Sequence, residues 1–332
     1  MKRKPICFYG ILFILLTWSA CSSSPGSGIH GDNRIPVILD TDANNELDDQ
    51  HAIAYLLLND EVFNTIGITV NATRSGGEIG EHVKEAQRVL SLCNRTEDVP
   101  LFAGANKSFS EIRTQLNEEG FDGQEAVDFI IREAMKKRKE KLVLIPVGKL
   151  TNIALALEKE PAIAEKVRVV WLGSNYPDPG EYNLDNDIAS MNYILETEVP
   201  FEIVTVRYGL PSGTSAVTVT QEEVFEKMPG LGPEAEEAVT GRHGGSFTRF
   251  GDYSVDLFRH IDFHDEHKSR SLFDMAAVAI VKNASWATAT EIPCPAYQDE
   301  KWLEQPGNSR KILVWEYFLR EEIITDFYKT FE

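Results

Sequence analysis

Short continuous apolar runs alternate along this chain with stretches in which apolar residues recur every three or four positions. "RIPVILD" (34–40) is such a run, and "DDQHAIAYLLLN" behind it reads as a largely buried helix. "FNTIGITV" (63–70) predicts a second strand. In "EIGEHVKEAQRVLSLCN" the residues Ile79, Val83, Ala86 and Leu90 fall at helical spacing. The alternation continues through strand "KLVLIPVG" (141–148), helix "LTNIALALEKEP", strand "VRVVWLG" (167–173), a long polar loop, a helix over 188–196 and strand "FEIVTV" (201–206). Strands this apolar need cover on both faces. The pattern therefore predicts an α/β fold, a single domain with a mostly parallel central sheet flanked by helices. The last third predicts helices near 221–228, 233–240, 253–261 and 271–282, then an edge strand in "KILVWEYF" and a closing helix. Ligands of parallel α/β sheets gather at the carboxyl ends of the strands, which singles out the polar loops 40–50, 148–152 and 173–187.

The N-terminus follows a different logic. Lys2, Arg3 and Lys4 precede an apolar segment from Ile6 to Trp18 and small residues before Cys21, the anatomy of an export signal and too short for a membrane span. Trp18-Ser19-Ala20-Cys21 resembles a bacterial lipoprotein signal. The expected organisation is a signal over 1–20, a flexible tether over 21–33 and one domain over 34–332. The protein would then be exported, as a periplasmic or cell-surface lipoprotein of a bacterium, and meet the membrane through a lipid on Cys21. Loss of the leader removes three positive charges and no negative ones, taking the net charge from -19 to about -22. A chain so acidic, without a basic aromatic patch, repels polymeric nucleic acid. Cys93 and Cys294 read as buried small residues and make no disulfide framework.

Acidic residues cluster in "DTDANNELDDQH", where Asp40, Asp42, Glu46, Asp48 and Asp49 fall within ten positions. Helix capping accounts for one or two such acids. The rest call for a cation, and an all-oxygen set with no His/Cys cluster points to a hard ion, calcium or magnesium. An EF-hand is a poor match, with Asn45 at the glycine position, His51 at the closing glutamate position and a strand in front. A phosphoryl-transfer DxDxT motif is broken by Asn44.

"VILDTDANNELDDQHAIA" resembles the N-terminal signature of the inosine-uridine preferring nucleoside hydrolase family, usually DTDPGxDDxxA. "ITV" with Asn71, "VPLFAGA" (99–105), "VGKLTNIALAL" (147–157), "GSNYPDPGEYN" (173–183) and "SLFDMAAVA" (271–279) follow in the family's order. The resemblance implies calcium-dependent hydrolysis of the N-glycosidic bond of a nucleoside or related riboside, through a metal-activated water and an oxocarbenium-like transition state. It implies Asp42, Asp49, the Thr151 carbonyl and Asp274 as Ca2+ ligands. Asp42 would take a proton from the water, and Asp48 would contact the ribose. Asn71, Asn175, Glu181 and Asn183 would hold the remaining sugar hydroxyls. Relatives are often dimers or tetramers, which makes a homo-oligomer an expectation here.

Two departures bear on function. The spacer between DTD and DD has five residues, Ala43 to Leu47, where the family has three, and an outward bulge at Asn44 and Asn45 is expected to absorb the excess. Phe273 stands where purine-acting relatives carry a leaving-group histidine. His243 is the candidate replacement; His260, His264 and His267 share its region. Phe247, Phe250 and Tyr253 are either a base-stacking set or core. A binding lipoprotein without turnover is the alternative that Phe273 supports.

Overall fold

The computed structural model describes Met1, residues 33–263 and residues 265–332. The leader, the tether, Cys21 and His264 lie outside the described residues. Arg34–Glu332 form one compact unit.

The first strand, β1 (Ile35–Thr41), is buried on both faces. Its alternate side chains enter two cores, Val37 and Leu39 on one face and Ile38 on the other, as the two-residue period of a strand dictates. The same division holds in β4 (Leu142–Pro146), where Val143 and Ile145 oppose Leu142 and Leu144. Helices 48–58, 79–92, 273–282 and 320–331 cover the first face. Helices 124–135, 151–159 and 188–196 cover the second.

With β2 (Phe63–Val70), β3 (Leu101–Ala103), β5 (Val167–Ser174) and β6 (Phe201–Thr205), six parallel strands lie in the order β6-β5-β4-β1-β2-β3. The chain works outward from β1 in one direction and from β4 in the other. The crevice between β1 and β4 is therefore the switch point at which such sheets bind ligands.

The C-terminal third departs from expectation in four places. "KILVWEYF" forms strand Lys311–Glu316, but it lies second from the edge, parallel to β6. The edge is Thr288–Pro293, antiparallel to it and largely exposed, and its polar "TATEIP" carries no apolar run to announce it. No helix forms over 233–240. There the Ala235 amide donates to the Thr248 carbonyl at 2.7 Å, and Val239–Thr240 pairs with Ser246–Phe247. Helix Phe250–Arg259 starts three residues before the predicted 253, so Phe250 and Tyr253 are fully buried and belong to the core. Earlier in the chain, helix Gln124–Met135 lies outside the predicted elements, and Ala126, Val127, Ile130 and Ala134 carry its helical period. Cys93 and Cys294 are buried free thiols.

Candidate active site

The carboxyl ends of β1, β4, β5 and β6 open into one cavity of about 120 Å³. Asp42, Asp48, Asp49 and Asp274 line it together with Glu181, Asn183, Val147, Tyr208 and Phe273. Asp42 follows β1 directly. Asp48 and Asp49 open helix Asp48–Leu58, and Asp274 is in the first turn of helix Phe273–Lys282. Carboxylate oxygens of Asp48, Asp49 and Asp274 lie within 4.8 Å of one another. Among the described residues no Lys or Arg forms an ion pair with any of the four.

The electrostatic consequence is large. Burial pushes Asp42 up to about 6 and Asp48 up to about 7, and the charge of Asp42 adds to the rise at Asp48. Asp49 and Asp274 stand well above the usual carboxylate range, through burial first and then through the neighbouring carboxylates. Lys149 is buried nearby, but its ammonium is spent on the carbonyls of Asn106 and Lys107 at 3.1 and 2.7 Å. Four like charges this close, out of water, require a compensating cation. All the donors are oxygens, which suits a hard divalent ion.

Hydrogen bonds hold the cluster from behind. Thr41 Oγ1 donates to Asp49 Oδ1 and Thr73 Oγ1 to Asp42 Oδ2, both at 2.5 Å. Asp40, fully buried one residue before Thr41, accepts from Thr69, Asn71 and Asn152 at 2.6, 2.7 and 2.7 Å. Its acid is an anchor between strands and does not line the cavity. A Cβ at Gly148 would lie 2.9 Å from Asp42 Oδ1 and 2.8 Å from Asn71 Nδ2. Gly148→Ala should therefore push Asp42 aside and weaken binding of a hard divalent cation about tenfold, roughly 1.4 kcal/mol by calorimetric titration.

On the sugar side, Glu181 caps the short helix Tyr182–Asn186, with Oε2 accepting from the amides of Asn183 and Leu184 at 2.8 and 3.1 Å. Burial raises it to about 7. Asn183 Nδ2 donates to the carbonyls of Val147 and Leu172 at 2.7 and 3.0 Å, which leaves its Oδ1 for the cavity.

Four candidates are placed elsewhere. Thr151 starts helix Thr151–Lys159 and turns its hydroxyl to Asp187 at 2.5 Å; the residue of this segment that lines the cavity is Val147, four positions earlier. Asn71 does not line the cavity; its amide is spent on Asp40, although its buried Oδ1 has no partner. Asn175 donates to the Gly180 carbonyl and also keeps a buried, unpartnered Oδ1 outside the lining. His243 faces Asp256 and His260 instead of the cavity.

The spacer does not bulge freely into solvent. Asn45 closes a turn onto the Asp42 carbonyl at 2.9 Å, and Asn44 Nδ2 donates to the Gly76 carbonyl at 2.6 Å. Ala43 and Leu47 are buried, Arg242 donates to the Glu46 carbonyl at 2.9 Å, and Arg270 pairs with the Glu46 carboxylate. Both asparagines keep negative φ, because tertiary contacts and not left-handed backbone absorb the two extra residues.

Tyr208 carried no signal in the sequence. It sits just past β6, edge-on to Phe273 with ring centroids 5.8 Å apart, and its hydroxyl donates to Glu181 Oε1 at 3.2 Å. Burial and the Glu181 charge hold its proton more firmly than in an ordinary tyrosine.

The family model for the inosine-uridine preferring nucleoside hydrolase matches residues 37–304. Similar curated proteins include the pyrimidine-specific ribonucleoside hydrolase RihA of Shewanella sp. (strain MR-7), 29% identical over 50% of this chain and 57% of its own length. Another is the non-specific ribonucleoside hydrolase RihC of Klebsiella pneumoniae, 31% identical over 46% and 55%. The chain thus spans little more than half the length of these relatives. Among solved structures, a plant nucleoside hydrolase, PpNRh1, superposes with a TM-score of 0.69 at 18% identity, covering 90% of this chain and 98% of that one. A purine-preferring ribonucleoside hydrolase from Gardnerella vaginalis gives 0.69 at 19%, covering 89% and 98%. At these identities the structural likeness concerns the fold.

Proposed function

This chain belongs to the inosine-uridine preferring nucleoside hydrolase family, and we propose that it hydrolyses the N-glycosidic bond of nucleosides or related ribosides with calcium as its ion. The observation that carries this reading is the set of four buried carboxylates, without a cationic partner among the described residues, in the cavity at the β1/β4 crevice. In this reading Asp42, Asp49 and Asp274 hold the ion with the backbone of Val147, which replaces Thr151. When bound, the ion offsets the carboxylate charge, grips vicinal hydroxyls and acidifies water. Asp42 is the carboxylate that takes a proton from the attacking water. Asp48 and Asn183 take ring hydroxyls, and Glu181 takes the 5′-hydroxyl. Together these oxygens stabilise the positive charge that develops on the sugar as the bond breaks. Export and a lipid on Cys21 belong to the same proposal.

The leaving group lies against Phe273 and Tyr208, and the Tyr208 hydroxyl, turned from Glu181 to the departing base, is the hydrogen-bond donor there in place of a histidine. This weakens the turnover-free alternative, whose support was the lack of an acid at position 273. Tyr208→Phe should lower kcat on nucleosides on the order of 100-fold and leave p-nitrophenyl riboside, whose leaving group needs no acid, nearly unchanged. Equal losses on both substrates would remove Tyr208 from this role. The overall reading is tested by incubating purified protein with p-nitrophenyl riboside, with calcium and after chelation. Calcium-dependent release of p-nitrophenol is expected. Binding of ribose without release would leave only the binding function.

A further inference from the structure

A second group of ligating side chains lies outside the acidic cavity. Asp256 and His260 are one turn apart at the end of helix Phe250–Arg259, and His243 comes from the turn between strands Val239–Thr240 and Ser246–Phe247. One ligating atom from each lies within 4.8 Å of the others. His243 Nδ1 is 3.9 Å from Asp256 Oδ2, and the two imidazole centroids are 4.4 Å apart.

Asp256 is only 9% exposed, yet its Oδ2 has no hydrogen-bond partner. A buried carboxylate oxygen left so costs about 1–3 kcal/mol, which a ligand would recover. His260 Nδ1 lies 2.8 Å from the Asp256 carbonyl. The same nitrogen is 3.5 Å from Asp256 Oδ1, so His260 ligates through Nδ1 by giving up the carbonyl contact or through Nε2 by a turn of its exposed ring.

We infer that His243, Asp256 and His260 form a second metal site, for a borderline divalent transition ion of the zinc class. Two imidazoles and one carboxylate suit such an ion, in contrast to the all-oxygen cavity. Tetrahedral zinc with ligands at about 2.0–2.1 Å sets them about 3.3 Å apart. The 3.9 Å separation must therefore shorten by about 0.6 Å. Gly244 and Gly245, at φ 90° and 78°, give the His243 turn the freedom to do so. The exposed faces of both histidines leave the remaining coordination position to water. Arg242, next to His243, donates to the Glu46 carbonyl at 2.9 Å, so an ion here also steadies the clamp on the acidic spacer.

The site is argued apart from the hydrolase reading, and only the calcium controls below rest on it. Untagged full-length protein is titrated calorimetrically with zinc in millimolar calcium, which occupies the acidic cavity. One zinc per chain is expected. His243→Ala and His260→Ala should each weaken it by at least ~100-fold, the upper end of the loss seen when a ligand's supporting partner is removed. Asp274→Asn should leave zinc binding intact. Absence of zinc binding in the wild type overturns the site, as does wild-type affinity in the doubly substituted histidine variant or loss of zinc binding in Asp274→Asn. Retained stabilisation of the histidine variants by calcium shows that they are folded.

Discussion

Asp274→Asn is expected to lower kcat/KM on any riboside substrate at least ~10³-fold, about 4 kcal/mol of transition-state stabilisation, and to raise the thermal midpoint of the calcium-free protein. The two effects come from one cause. Asp274 is buried in a first helical turn beside Asp48 and Asp49, and the charges of Asp48, Asp49, Asp42 and Glu181 all oppose its ionisation. An amide of the same shape removes that repulsion, so the metal-free fold gains. In the proposed metal site it also removes a charged ligand, so calcium affinity falls and the sugar loses its anchor. A mere structural role predicts the opposite stability change. Calorimetric scanning with and without calcium, beside steady-state kinetics, separates the two; a lowered metal-free midpoint with activity retained would sink the metal-site assignment.

Without calcium, stability should fall as pH rises from about 4 to about 8, and calcium should abolish most of that fall. Asp40 and Asp42 are raised to about 6, Asp48 and Glu181 to about 7, with burial the leading cause at each. A carboxyl whose folded pKa exceeds its unfolded value of 3.8 or 4.5 binds its proton more tightly when folded. Its contribution is full below the unfolded value and is lost as pH rises through the folded one. Each tenfold difference in proton affinity is worth about 1.4 kcal/mol. His51 pulls the other way. Buried and lowered to about 4, it favours the fold above 6.5 and is lost as pH drops. Four acids outweigh one histidine, so the metal-free profile slopes downward with pH. The His51 effect is common to both forms and cancels in the difference. Thermal midpoints measured across this range, with chelator and with calcium, check the slope; parallel profiles would mean that the carboxylates do not share an ion.

Much of the fold was legible in the sequence because burial on both faces demands continuous apolar strands. Phe63–Val70 and the helix 188–196 fall where the pattern put them. The failures have physical reasons. "TATEIP" forms a strand because Lys311–Glu316 offers it an open edge, a pairing energy that its own residues do not advertise. "PEAEEAV" has helix formers, but the Ala235 amide is taken by the Thr248 carbonyl and the Glu236 amide by Asn94 Oδ1. Asp42, Asp48, Asp49 and Asp274 were legible for a different reason: so many acids next to apolar strand and helix patterns had no cheap structural use. Thr151 was misplaced because which residue of a strand-to-helix turn faces the cavity depends on local geometry, and here the turn presents Val147.

The residue order alone determined the alternation of buried strands and helices, the crevice at their carboxyl ends and the concentration of acid there, since these follow from period, apolarity and charge. Only the tertiary structure decided which polar atoms remain free to act. Asn71 was already committed to Asp40, the five-residue spacer was tied down by Gly76, Arg242 and Arg270, and Tyr208 was brought against Phe273 from another strand. A hydrogen bond consumes a donor or acceptor wherever its partner happens to lie, and partners distant in sequence meet only when the chain is folded.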